Sequence, residues 1–274
     1  MSEQKIGSII CPDCGKLISV NAEVCIHCGR KNPGMWGLGP LLRNWMRDYG
    51  FTEVVTAVCV AFYVISLLLD IRAIFRLDLF SFLGPSGVSL YKLGATGTIP
   101  MAQGRWWTLV TAVYLHGGLL HIFFNLYFLR QIAPQVEELF GTARLIVIFT
   151  FAGVLGFVVS NLMGIQFTIG ASGALFGLLG ALVAYGRARG GSFGEAVYRA
   201  GLQNALIMFV FGFLMSGVNN WAHAGGFIGG FLAALVVGFA EQGREGFRVQ
   251  ALTLASIGLT VLCFGMVVWQ LFVG

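Results

Sequence analysis

Residues 145–186 read LIVIFTFAGVLGFVVSNLMGIQFTIGASGALFGLLGALVAYG, 42 positions without one charged side chain, enclosed by Arg144 and Arg187. A helix crossing a bilayer needs about 20 residues, so this run is twice too long for a single span and has to fold back once. The polar residues Ser160-Asn161 and, a little further on, Gln166-Phe167-Thr168 mark the place. A second window, between Arg199 and Glu241, encloses 41 uncharged residues and breaks at Ser216-Gly217-Val218-Asn219-Asn220. Outward from these, 16 uncharged residues between Glu53 and Asp70, 24 between Arg105 and Arg130, and the 26 after Arg248 hold one helix each. The charge spacing therefore predicts seven spanning helices. Composition agrees. Of 274 residues 57% are hydrophobic and 11% charged, and the mean hydropathy is +0.82, which leaves too little polar side chain to cover a water-soluble globule. The expected fold class is an all-α polytopic membrane protein with lipid as its main solvent.

Lys and Arg are retained on the cytoplasmic side of short loops. The turns near 161–169 and 216–221 carry none, whereas the alternate turns carry Arg144, then Arg187, Arg189 and Arg199, then Arg244 and Arg248. Lys5, Lys16, Arg30, Lys31, Arg43 and Arg47 precede the first span. This pattern places the N-terminus in the cytoplasm and the C-terminus outside. The connection over 75–104 goes against the trend, with Arg76 and Lys92 on the outer side, but long segments obey the rule poorly. The net charge of +5 is read as a topology signal and not as a nucleic-acid footprint, because no basic run interleaves with aromatics. Residues 1–30 hold no apolar core of a signal peptide, so no cleaved signal is expected.

Four of the six cysteines form the paired turns Cys11-Pro12-Asp13-Cys14-Gly15 and Cys25-Ile26-His27-Cys28-Gly29. Two Cys-x-x-Cys turns can present four thiolates tetrahedrally, and the glycine after each pair lets the backbone bend so that its amides face the sulfurs. With a cytoplasmic N-terminus, disulfides are the weaker reading. Residues 1–30 are expected to form a zinc-ribbon-like domain with a structural Zn2+ held by Cys11, Cys14, Cys25 and Cys28. So short a segment cannot bury a core, and the metal would hold it together. Residues 31–50, with Gly34, Gly37, Gly39 and Pro40, read as a linker. Cys59 and Cys263 sit in apolar spans, where packing explains them.

Apart from His27, the histidines His116, His121 and His223 fall in or beside predicted spans. Ionisable side chains in hydrocarbon are costly and usually face a cavity or a polar partner. A histidine bonding between helices is the plain alternative for any one of them. Topology sharpens the choice. The second, fourth and sixth spans run the same way, and His121 with Asn125, Ser172 and His223 all fall at their outer starts. His121 and Asn125 are four apart and share a helix face. Ser172 follows an irregular stretch, in Gly170-Ala171-Ser172-Gly173, at a helix start where free amides can stabilise an oxyanion. Gly173 with Gly177, and Gly226 with Gly230, give two helices small-residue stripes that permit close approach, which a Ser-His hydrogen bond requires. No carboxylate occurs over 145–186 or 200–240. The expected machinery is thus a dyad, with Ser172 as nucleophile and His223 as base, oriented by packing and not by an acid. The Ser172 amide, His121 and Asn125 would hold the oxyanion.

These residues together resemble the rhomboid family of intramembrane serine proteases. The likeness rests on G-x-S-G at Gly170–Gly173, A-H-x-x-G-x-x-x-G from Ala222 to Gly230, and H-x-x-x-N from His121 to Asn125, within roughly 75–245. It implies a six-helix core, here 51–245, with 246–274 as an additional transmembrane helix, and cleavage of transmembrane protein substrates near small, helix-destabilising residues. It also implies a wet cavity open to the outside and a lateral gate formed by the fifth span, about 200–216, and the loop after it. The first loop would lie partly in the outer leaflet, consistent with Phe80, Phe82, Leu83 and Leu90. The resemblance implies no catalytic cofactor and a multi-pass cell membrane of prokaryotic inner or plasma-membrane type. Two departures stand out: Trp107-Thr108 replaces the common Trp-Arg of the first loop, and Phe176 stands where some members place a Tyr on the catalytic histidine. His116 is a supporting neighbour, and Glu137 reads as a structural hydrogen-bonding group near the inner end of the second span. Competing classes are an inactive relative that binds transmembrane clients and a proton-relaying transporter. The second would need buried acids or related halves, and neither is evident.

Overall fold

The computed structural model describes residues 7–11, 13–20, 22–33, 50–71, 82–215, 217–240 and 246–273. Most of the predicted linker, 34–49, lies outside the described residues, as do Phe80 with the neighbouring part of the first loop and Ser216.

Strands β1 (Ser8–Ile10) and β2 (Leu17–Ser19) pair antiparallel, with Ile9 opposite Ile18. Each Cys-x-x-Cys turn is closed in the same way. Gly15 N donates to Cys11 O and Gly29 N to Cys25 O, both at 2.9 Å; Cys11 N donates to Lys16 O at 2.8 Å and Cys25 N to Arg30 O at 2.7 Å. The turns bend at Gly15 and Gly29, with φ of 73° and 74°, in the left-handed region that side chains disfavour. Among the described residues, the buried apolar cluster here is Cys11, Ile18 and Cys25, with Ile9, Cys14 and Ala22 packed against it.

Helix α1 (Phe51–Leu68) buries Phe51, Val55, Cys59, Tyr63 and Ser66, a stripe at three- and four-residue spacing on one face. Most of the rest of its surface faces outward. The first loop is not irregular throughout: it contains α2 (Gly87–Lys92), capped by the Ser86 hydroxyl, and α3 (Thr98–Ala102). A short helix, α4 (Thr108–Thr111), runs into a 3₁₀ turn (Ala112–Tyr114) and then α5 (Leu119–Phe140), with a 91° bend between the two parts. The antiparallel series continues with α6 (Thr142–Leu162), α7 (Ser172–Arg189), α8 (Gly191–Leu214), α9 (Asn220–Val237) and α10 (Phe247–Val273). Helix α8 thus starts nine residues before the expected 200, since Gly190 and Gly191, with φ of 62° and 65°, turn the chain directly after Arg189.

Five of these helices, α1, α6, α8, α9 and α10, are long and apolar enough to cross a membrane, and the bent α4–α5 pair makes a sixth. The predicted fourth span, α7, is a helix but falls outside that set. Its residues from Gly173 to Gly186 are all buried, so it packs among other helices and does not have to be as apolar as a lipid-facing one. Helix α9 lies against α7 on one side and α6 on the other. At the C-terminal ends of α5 and α9, Arg144 is buried and donates to Val237 O and Phe140 O, both at 3.0 Å; it thereby pairs a cation with the last carbonyls of those helices. Glu137 accepts from the Thr142 hydroxyl at 2.6 Å across the α5–α6 turn.

Helix α10 packs along α6, where the Thr253 hydroxyl donates to Ala143 O at 3.0 Å, and its far end meets the first loop. There Arg105 is buried, donating to Gln270 Oε1 at 3.0 Å and Tyr91 O at 2.9 Å, with its guanidinium 4.1 Å from the Tyr91 ring centroid. Thr108, at the departure from Trp-Arg, is buried; its hydroxyl donates to Arg105 O at 2.7 Å and lies 3.0 Å from Thr96 Oγ1, whose hydroxyl can donate to it. At the near end of α10, Arg30 pairs with Asp13, lies 5.4 Å from the Phe247 ring centroid and donates to Gln250 at 3.4 Å.

Candidate functional site

Ser172 opens α7, and the segment before it is pinned from two sides. Thr168 and Thr96 exchange backbone hydrogen bonds at 2.7 and 3.2 Å, and Gly170 N donates to Ala112 O at 2.9 Å. Gly170 has φ of 120°, and a side chain there would put its Cβ 2.7 Å from His121 Nε2. The position therefore excludes other residues on conformational and steric grounds. The start of α9 is fixed to the same segment. Asn219 Oδ1 accepts from Ala222 N at 3.1 Å as an N-cap, while its Nδ2 donates to Ser160 Oγ at 2.6 Å and Thr168 Oγ1 at 3.0 Å.

Helices α7 and α9 meet backbone to backbone. A Cβ on Gly173 would lie 3.2 Å from Ala222 O, and one on Gly177 3.1 Å from Gly226 O; on Gly226 or Gly230 it would overlap the carbonyls of Gly173 and Gly177. The two small-residue stripes predicted from sequence thus face each other. A second set lies on the opposite side of α9. Cβ atoms on Gly156 and Gly225 would fall 2.6 Å from Ala222 O and 2.7 Å from Val159 Cβ. Gly156 and Gly225 were missed from sequence, although they also occur among alanines and valines at helical spacing.

This approach brings Ser172 Oγ to 2.8 Å from His223 Nε2. His223 is buried, and Phe176 stacks on its imidazole with centroids 4.2 Å apart and planes 14° from parallel. Phe176 is in turn edge-on to Phe209 of α8. The other nitrogen, His223 Nδ1, lies 3.0 Å from Asn220 Oδ1. The sequence reading left His223 oriented by packing alone; the structure adds a polar partner that is not an acid. Asn220, part of the turn read from sequence, stands three residues before His223 at a helix start, a spacing that was a usable signal.

His121 and Asn125 stand on the opposite wall. Gly117 N donates to His121 Nδ1 at 3.2 Å, and since an amide N–H only donates, that nitrogen carries no proton in the neutral ring. The proton then sits on Nε2, which approaches Gly170 beside Ser172. Asn125 Nδ2 donates to His121 O at 2.8 Å, leaving one of its two protons for another acceptor. His116 is buried and meets His121 edge-on, centroids 5.1 Å apart. Ser172 and His223 meet directly, and His121, with His116 beside it, reaches Gly170 next to Ser172, at the starts of α5, α7 and α9.

The four cysteine sulfurs form a separate cluster. They lie within 4.8 Å of one another, with Cys11 to Cys28 at 3.7 Å and Cys14 to Cys25 at 3.6 Å. A tetrahedral thiolate site with bonds of about 2.3 Å has edges of about 3.8 Å, so these residues can hold a metal ion. The thiols are electrostatically unequal. Burial raises Cys25, but hydrogen bonds from the backbone of His27 and Cys28 outweigh it and bring that thiol down to about 6. Cys28 is lowered by the Arg30 backbone, yet burial and the neighbouring thiols push it up to about 12.

Comparison with known proteins matches the family model described as "Rhomboid domain" to residues 103–239, the stretch that carries His116, His121, Asn125, Ser172, Asn220 and His223. Rhomboid protease GluP of Bacillus subtilis is 34% identical over 179 residues, 65% of this chain and 35% of that protein. RHOMBOID-like protein 5 of Arabidopsis thaliana is 36% identical over 165 residues, 57% of this chain and 52% of that protein. The rhomboid YdcA of Bacillus subtilis is 30% identical over 178 residues, which cover 63% of this chain and 87% of that protein. The chain thus spans from about a third to most of the length of these relatives. With the family's domain covering half its residues, the chain belongs to the rhomboid family.

Proposed function

We propose that this protein is an intramembrane serine endopeptidase that hydrolyses peptide bonds in or near the transmembrane segments of membrane-protein substrates. The observation that carries this reading is the 2.8 Å approach of Ser172 Oγ to His223 Nε2 at the start of two helices whose backbones touch. In the reaction, His223 Nε2 takes the hydroxyl proton as Ser172 Oγ attacks the scissile carbonyl. The tetrahedral oxyanion is met by the Ser172 backbone amide, free because it opens a helix, by His121 Nε2–H and by the second Nδ2 proton of Asn125. His223 then returns its proton to the leaving amine, and water repeats the sequence on the acyl-enzyme. His121 donates throughout and has no need to change protonation. Orientation follows the charge pattern, with the N-terminus cytoplasmic and the site opening to the outer side.

The test uses the full chain in liposomes with a fluorogenic transmembrane reporter and a fluorophosphonate probe. Wild-type protein is expected to cleave the reporter and take up one probe per chain, and Ser172→Ala to do neither. Equal labelling and turnover in both would overturn the proposal; labelling without cleavage of any of a panel of transmembrane segments would favour a client-binding relative.

For the cysteine cluster we propose a structural Zn2+ in a ribbon over residues 1–30, joined by a linker to the core and followed after 246 by the additional helix. Cys14→Ser is expected to lower bound zinc from about one per chain to near zero, read by elemental analysis of the purified protein. Because thiols must deprotonate to ligate, zinc affinity should rise with pH and loading should release protons. Undiminished metal in the variant would refute the site.

A further inference from the structure

Two observations around Asn220 bear on how His223 is held, and both concern a residue outside the dyad and the oxyanion donors. First, Asn220 Oδ1 lies 3.0 Å from His223 Nδ1. A carbonyl oxygen only accepts, so this contact places the proton of the neutral ring on Nδ1 and leaves the Nε2 lone pair directed at the Ser172 hydroxyl. That is the tautomer in which the imidazole can act as base. The opposite tautomer would present an N–H to Ser172 and could not take its proton. Second, the Asn220 amide is wedged against α8. Gly212 of α8 faces it so closely that a Cβ there would overlap Oδ1 and lie 3.2 Å from Cγ, and 3.0 Å from Val218 Cγ1. The amide is thus fixed by a bare stretch of helix that no larger residue could provide.

We infer that Asn220 is the third member of the site, a positioning residue that selects the Nδ1–H tautomer of His223, and that Gly212 of α8 holds it in place. The inference rests on the Ser172–His223 reading and deepens it. An amide in this role supplies orientation without a negative charge, as the Cys-His-Asn arrangement of some cysteine proteases does. A charged carboxylate in the same place would have to be desolvated within a membrane-embedded bundle. Phe176 stacks on the ring from α7, and α8 contributes Phe209 behind it and Gly212 beside Asn220; none of these titrates. The nearest titratable neighbour is His121 on α5. Because α8 packs on the amide, an outward movement of α8 would release Asn220 and, with it, the orientation of the base.

The experiment has a direct arm and a kinetic arm. In the otherwise unaltered protein, ¹⁵N-labelled histidine is expected to give for His223 the signature of a neutral ring protonated on Nδ1. In kinetics on the transmembrane reporter, Asn220→Ala should lower kcat by about 10²-fold with little change in KM. Asn220→Asp keeps the acceptor but adds a charge that favours the imidazolium. It should recover much of kcat while moving the acid limb of the rate profile to higher pH by about one unit. A purely structural asparagine would not move that limb. A His223 ring protonated on Nε2, or an Asp variant with the wild-type acid limb, would overturn the inference. The tautomer arm decides the matter even if both variants fail to fold. Activity surviving Ser172→Ala would instead bring down the protease reading itself, so the two failures are distinguishable.

Discussion

Replacing His223 by alanine is expected to lower kcat/KM on a transmembrane reporter by about 10⁵-fold, equivalent to about 7 kcal/mol of transition-state stabilisation. Ser172→Ala should cost about as much, and the double variant little more than either single one, because the two groups act on the same proton. The reason lies in the 2.8 Å contact: without the imidazole, a hydroxyl with a high intrinsic pKa must be deprotonated by water. The oxyanion donors are untouched by either change, so rate above the uncatalysed background should persist in both variants. The decisive measurement is a double-variant cycle in proteoliposomes, with helical content followed by circular dichroism. Additive losses, with the double variant about 10⁵-fold below each single one, would mean that Ser172 and His223 act independently and would sink the dyad.

Gly226→Ala is expected to be strongly damaging for a single added methyl. The new carbon would overlap the Gly173 carbonyl, which is backbone and cannot rotate aside as a side chain can. Helices α7 and α9 would have to part, at a cost of about 2–3 kcal/mol. Gly173 is the neighbour of Ser172, and His223 lies one turn before Gly226, so the same displacement opens the Ser172–His223 distance. A misplacement of about 1 Å costs about 10²-fold in rate. The matched control is Gly258→Ala or Gly265→Ala on α10, where an added Cβ meets nothing within 4 Å and alanine is the better helix former. Unfolding in detergent, paired with reporter cleavage, should separate the sites clearly. A Gly226→Ala protein as stable and active as the controls would mean that the two backbones do not meet as described.

The helices were legible because charges are expelled from hydrocarbon: the windows bounded by Arg144, Arg187, Arg199 and Glu241 fixed two hairpins without any fold template. The depth of Ser172, His121 and His223 followed from counting alternations of direction. The Cys-x-x-Cys turns were legible for a different reason, since metal geometry permits few spacings. What escaped were features that depend on how elements meet. Hydrophobic windows give no hint of a 91° bend before α5, nor of α2 and α3 within the first loop, whose few residues carry no period. The second glycine face of α9 was hidden because Gly156 and Gly225 lie far apart in sequence and become partners only through packing. Asn220 was not legible because a carboxylate is the partner a catalytic histidine suggests in sequence, whereas the orientation of an imidazole requires only an acceptor.

Helix α7 has a consequence for how the molecule is made. Its run from Gly173 to Gly186 touches protein on all sides, and its glycines, alanines and terminal Arg187 and Arg189 make it a poor substrate for direct partitioning into lipid. The nascent segment is expected to reach its stable place in the bilayer only after α8 and α9 have emerged from the ribosome. The centre of the bundle is then expected to be delivered as a group, sheltered by the insertion machinery, and chains truncated after residue 190 should be retained at the translocon or degraded.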